Sequence, residues 1–206
     1  MKQVFRVLGF LLLTGIAPVG WSSALSLEEV LANTPELRGD LPQPVTQTGV
    51  SVGERHWYHH EIVAYLDTLA AASPRMVALG PHATSYGGRS LVSYAISSEA
   101  NIDKLQAIKA ARAQIIAPAN TADLTEQPAV MHMMYSIHGN EPSGSNASPL
   151  VAYYLNASLD PAITAQLEDV VIIFNPMLNP DGLDRFAHWT NSHRGQVPSP
   201  DANDRE

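Results

Sequence analysis

Five consecutive apolar residues, Val170-Val-Ile-Ile-Phe174, run directly into Asn175-Pro-Met-Leu-Asn-Pro-Asp-Gly182. A β-branched run this short, closed by turn residues, reads as a strand buried on both faces. Such a strand needs a sheet with cover on each side. The remaining patterning supplies it. Residues 59–72 place Ile62, Val63, Leu66, Leu69 and Ala70 at helical spacing, and Pro74 stops that helix. Residues 76–79 and 91–96 read as strands joined by the turn Tyr86-Gly-Gly-Arg89. Residues 101–113 read as a helix capped by Asn101, residues 129–135 as a strand, and residues 145–157 as a helix with Leu150, Val151, Tyr154 and Leu155 on one face. The fold class expected is α/β: a mixed, mostly parallel central sheet with helices on both faces. Val170–Phe174 is its central strand.

Composition narrows the chemistry. Twelve Lys and Arg stand against twenty Asp and Glu, for a formal charge of −8 over 206 residues. An acidic chain is poorly suited to nucleic acid, where cations must displace counterions from phosphate. Hydrophobic residues make up 45%, enough for a core. There is no cysteine, so thiolate catalysis, cysteine zinc sites and disulfides are all excluded. A metal here needs His, Asp and Glu.

The N-terminus reads as an address. Lys2 and Arg6 precede a largely apolar stretch from Val7 to Val19, and Ser22-Ser-Ala24 offers a cleavage site. The apolar run falls short of the ~20 residues of a membrane span. Residues 1–24 are therefore expected to be a signal peptide and to leave no stable span once cleaved. Their loss takes the charge from −8 to −10, since Lys2 and Arg6 go with them. Secretion without cysteine fits a bacterial periplasm. Residues 25–48, rich in Pro and Gly, read as a linker or wrapping arm outside the core, and residues 49–206 as the main folded portion, incomplete at its C-terminal side. From Thr190 to Glu206 the only aliphatic residues are Val197 and Ala202, so no strand or buried helix is expected there.

His138-Gly-Asn-Glu141-Pro-Ser-Gly144 stands after a predicted strand and before a predicted helix. Imidazole nitrogen and carboxylate oxygen three residues apart on a turn can address one ion, and zinc accepts both donor types. The glycines permit the tight path this needs. The C-terminal end of a strand is also where open α/β sheets place ligands.

Taken in order, Tyr86-Gly-Gly-Arg-Ser-Leu91, His138-Gly-Asn-Glu141, the buried strand leading to Asn179-Pro-Asp-Gly182, and Arg194 resemble the zinc carboxypeptidase family of metallopeptidases over about residues 55–196. The resemblance implies a secreted hydrolase that cuts C-terminal peptide bonds with one zinc ion. His138 and Glu141 match the first two zinc ligands. Arg194 matches the arginine that holds the developing oxyanion. The implied partner is a peptide with a free C-terminus, and nothing indicates an oligomeric state. Asn203, in Asp201-Ala-Asn-Asp-Arg205, resembles the carboxylate-gripping segment imperfectly, because Asp204 intervenes.

The family also needs a third ligand and a general-base Glu later in the chain. No His follows His193, and only Glu206 follows Glu168. The sequence therefore reads as the N-terminal part of such an enzyme, inactive on its own, with Val170–Phe174 left at an open sheet edge. Two other readings stay open: a related amidohydrolase acting on cell-wall peptides or acylated amino acids, and a catalytically dead binding module on the same fold. His56, His59 and His60 have metal-like spacing but read as a solvated, aromatic helix start. His132 reads as a satisfied histidine. Asp181 is expected to cap its own turn, with a contact to a ligand His as the other possibility. Ser143 and Ser145 lack the elbow of a serine hydrolase.

Overall fold

The computed structural model describes residues 27–32, 34–116, 123 and 125–193. The signal peptide expected over residues 1–24 lies outside them.

Helix α1 (Leu27–Leu31) is followed by irregular chain and then α2 (His59–Ala72). Glu61 accepts from the backbone N–H of Tyr58 at 2.9 Å, one half of a capping box, while Arg55 grips its carboxylate at 2.5 and 2.8 Å. Strands β1 (Met76–Thr84) and β2 (Ser90–Ile96) form a hairpin. The expected helix over 101–113 is split into α3 (Glu99–Asp103) and α4 (Leu105–Ala113). Its cap is Ser98, not Asn101: the Ser98 side chain accepts from the N–H of Asn101. The amide of Asn101 instead donates to Glu168 O at 2.8 Å.

Strand β3 (Ala129–Met134) leads to α5 (Ser143–Ala157). Pro149 lies inside α5 and cannot donate to the carbonyl of Ser145; the hydroxyl of Ser148 takes that place at 2.8 Å. Next come α6 (Pro161–Asp169), β4 (Val170–Asn175) and α7 (Pro180–Ser192). The last two helices share a start signal. Asp160 and Asn179 cap them through side-chain oxygens, each with proline at the first helical position.

The strands form one mixed sheet in the order β1-β2-β4-β3. β3 runs parallel to β4, and the pairings of β1 with β2 and β2 with β4 are antiparallel. The Val170–Phe174 run is interior, as the buried apolar stretch requires. The expectation that it stands at an edge is overturned: β3 is the outer strand, with Val130, Met131 and Met134 exposed.

Helices cover both faces. On one, Ile62, Leu66 and Leu69 of α2 and Ala152 and Tyr153 of α5 pack on Tyr94, Ile96, Ile172 and Phe174. Leu41 joins them at 5% exposure, so the arm expected outside the core feeds into it. On the other face Ile108 of α4 meets Ala95 and Val171. Beyond α4 a row of polar side chains crosses the sheet, one from each strand. His82 Nδ1 meets Ser93 Oγ at 2.8 Å, Asn175 Nδ2 donates to Ser93 Oγ at 2.8 Å, and Asn175 Oδ1 meets His132 Nε2. His132 is thus satisfied through a polar partner on the neighbouring strand. No described helix is long and apolar enough to cross a membrane.

Candidate active site

The site is built where β3 ends. Ser136 has a φ of 44°, which carries a penalty for a residue with a Cβ. Its hydroxyl holds the conformation in place: it donates to Glu141 O at 2.9 Å and accepts from Ser145 N at 3.1 Å. Leu178 N donates to Tyr135 O at 3.0 Å and ties the strand exit to the segment after β4.

The loop between carries His138 and Glu141. Their side chains are 68% and 70% exposed, and His138 Nδ1 lies 3.4 Å from Glu141 Oε2. A nitrogen donor and an oxygen donor are brought together at the surface, the pairing a zinc ion accepts. No set of three His, Asp or Glu side chains with metal-binding geometry occurs among the described residues. Arg194 and Asn203 lie outside them.

The loop rests on the first turn of α7. A Cβ built on Gly139 would lie 2.1 Å from the carbonyl carbon of Gly182, inside any van der Waals contact. Glycine is required on the His138 loop because backbone meets backbone there. Asn179 then caps the helix by accepting from Gly182 N at 2.9 Å.

Asp181 does neither thing expected of it. It reaches across to the β1–β2 turn, accepting from Gly87 N and Ser85 Oγ at 2.8 Å each and pairing with Arg89 Nη1 at 2.8 Å. These bonds, the Gly87 N–H first and then the Ser85 hydroxyl, hold its carboxyl below the usual carboxylate range. Arg89 continues to Asp184 at 2.5 Å, and Asp184 accepts from His59 N at 2.7 Å. The turn Ser85–Arg89, the start of α2 and the start of α7 are thereby one hydrogen-bonded unit. His56 packs edge-on against Phe186 and His60 stacks on Tyr58, while His59 Nε2 meets Ser90 O at 2.8 Å.

Between the loop and α7 opens a cavity of about 490 Å³ lined by Gly139, Asn140, Gly182, Arg185, Phe186 and Trp189. Sequence reading missed Phe186 and Trp189, because α7 was taken as a turn and polar stretch. The Asn-Pro helix-start signal at 179–180 was the available clue.

A zinc carboxypeptidase family model matches residues 62–203, well over half the chain. The chain belongs to the zinc carboxypeptidase family. No curated protein matches it. Membership in the zinc carboxypeptidases implies hydrolase chemistry on peptide bonds and zinc as the family's metal. The matched stretch includes the turn at 85–89, the His138 loop and all of α7, the parts that hydrogen bonds and the glycine contact draw together.

Proposed function

We propose that the protein is a secreted zinc metallocarboxypeptidase in which His138 and Glu141 are two of the zinc ligands. The observation that carries this reading is the approach of His138 Nδ1 to Glu141 Oε2 at 3.4 Å, on an exposed loop at the end of the parallel strand β3. The donor set fits zinc, and the loop is held by Ser136 and by the Gly139–Gly182 contact. Zinc bound there supplies Lewis acidity toward a scissile carbonyl and acidifies water.

The chain's own residues position the reactants. Ser136 fixes the carbonyl of Glu141 and so aims its side chain. Asp181 and Arg89 lock the surrounding turns. Arg194 is proposed to hold the developing oxyanion, a contribution of about 3–4 kcal/mol in hydrolases that use such a group. A third ligand and a general-base Glu would complete such a site, and neither is assigned among the described residues.

The test is metal content and hydrolysis by the full protein, before and after His138→Ala. Zinc should fall in the variant, and a chelator should abolish hydrolysis of peptides with a free C-terminus. Undiminished zinc in the variant overturns the ligand assignment. Equal cleavage of free and C-terminally amidated peptides overturns the exopeptidase reading in favour of the amidohydrolase.

A further inference from the structure

Two rings in the cavity beside the His138 loop have no part in the proposed chemistry. Phe186 and Trp189 have centroids 5.8 Å apart and planes tilted by 37°, and His193 continues the row 5.2 Å beyond Trp189. The three are spaced three and four residues apart, so they line one face of α7 and its C-cap. His56 closes the near end, edge-on to Phe186 at 5.7 Å.

This face is not the one that holds α7 to the core. Leu183 and Ala187 do that, and both are fully buried. Phe186 and Trp189 keep part of their surface and turn it to a cavity whose opposite wall is Gly139 and Asn140, the residues between His138 and Glu141. Partly exposed rings that line a concave surface mark a binding site more often than a packing fault. No carboxylate is among the six lining residues. Its one charged lining residue is the cation Arg185, so the surface disfavours cationic groups and offers its rings to apolar, flat ones.

We propose that the Phe186–Trp189 wall is a subsite for an apolar side chain of the bound peptide, aromatic by preference, and that Trp189 sets that preference. This rests on the metallopeptidase reading, since the peptide in the subsite is the one presented to His138 and Glu141. The wall and the metal loop are continuous through the Gly139–Gly182 contact, so a side chain seated on the rings fixes where the peptide backbone crosses the loop.

The experiment uses the full protein, Trp189→Ala and Trp189→Phe. Substrates are Ala-Gly peptides with a free C-terminus, in which a single Phe is walked through the last five positions. The wild type should prefer one register. In Trp189→Ala the kcat/KM ratio of that Phe peptide to its all-Ala-Gly parent should fall about tenfold, mainly through KM, as expected for a lost ring–ring contact. Trp189→Phe should restore most of the ratio, and zinc content should not change. A ratio that does not move, or a wild type without register preference, overturns the proposal.

A second readout does not depend on turnover. A peptide with p-nitrophenylalanine in the preferred register should quench tryptophan emission in His138→Ala, and this quenching should vanish when Trp189→Ala is added. Of the other two tryptophans, Trp57 is 1% exposed and out of contact with the quencher, and Trp21 lies in the expected signal peptide; Trp57→Phe removes any residual quenching from the core. Quenching without hydrolysis by the wild type leaves the subsite standing and removes the peptidase. Hydrolysis without quenching removes the subsite and leaves the peptidase.

Discussion

Gly139 and Gly182, forty-three positions apart, touch through their backbones: a Cβ on Gly182 would stand 3.0 Å from Gly139 Cα. The candidate metal loop and the first turn of α7 are therefore set by one contact that tolerates no side chain on the loop.

Gly139→Ala should force the loop off α7. Overpacking of this kind costs about 1–3 kcal/mol. The loss should appear in chemical unfolding, together with weaker zinc retention as the His138–Glu141 pair is displaced. Wild-type stability and zinc content in the variant would mean that the loop yields without consequence.

Asp181→Asn should alter the pH dependence of stability. The folded carboxyl is held below its usual range by Gly87 N, Ser85 and Arg89. A depressed carboxylate stabilises the fold above its unfolded pKa, and that contribution is lost as pH falls through the folded value. The wild-type melting temperature should thus drop more steeply than the variant's between about pH 5 and pH 3. Near neutrality the variant should be the less stable of the two. Parallel curves would refute the role given to Asp181.

Phe174→Ala should be severe. Phe174 is fully buried, sits in the central strand and faces Tyr135 with ring centroids 5.2 Å apart. Removing a buried ring of this size costs about 3–5 kcal/mol, readable as a shift in urea midpoint. A cost near 1 kcal/mol would imply that the core closes over the gap.

Met131→Lys should raise the solubility of the 206-residue chain without lowering its melting temperature. Met131 is 47% exposed on the outer strand, where a charge discourages edge-to-edge association. A marked loss of stability would show that this side chain is buried in solution.

Much of the fold was legible because its elements obey simple periods. Ile62, Leu66 and Leu69 announced α2, and Val170–Phe174 announced a buried strand. Two helices escaped because their starts look like turns. Asp160-Pro161 and Asn179-Pro180 satisfy turn chemistry and helix N-cap chemistry equally, and only the buried faces of Leu167 and Leu183 decide between them. At the site, spacing alone said little about His138 and Glu141; their place after a strand and the family resemblance singled them out, and the fold brings their side chains within 3.4 Å. Asp181 was misjudged because its partners Ser85, Gly87 and Arg89 are more than ninety positions away, and no local pattern encodes that meeting. The same holds for Gly139 against Gly182.

The polar row across the sheet has a consequence of its own. Asn175 spends its amide hydrogens on Val92 O and Ser93 Oγ, so its oxygen must accept and His132 must carry hydrogen on Nε2. Each bond that Asn175 makes has one permitted direction, and sliding a strand by a residue pair breaks that sequence of donors and acceptors. A chain without cysteine thus gains a register lock that no reductant can open. Water competes with that lock only at its histidine ends, on β1 and β3, where most side chains are exposed, while β2 and β4 stay covered. Amide hydrogen exchange should accordingly advance from the two rims inward, with the strands flanking Asn175 and Ser93 the last to take up deuterium.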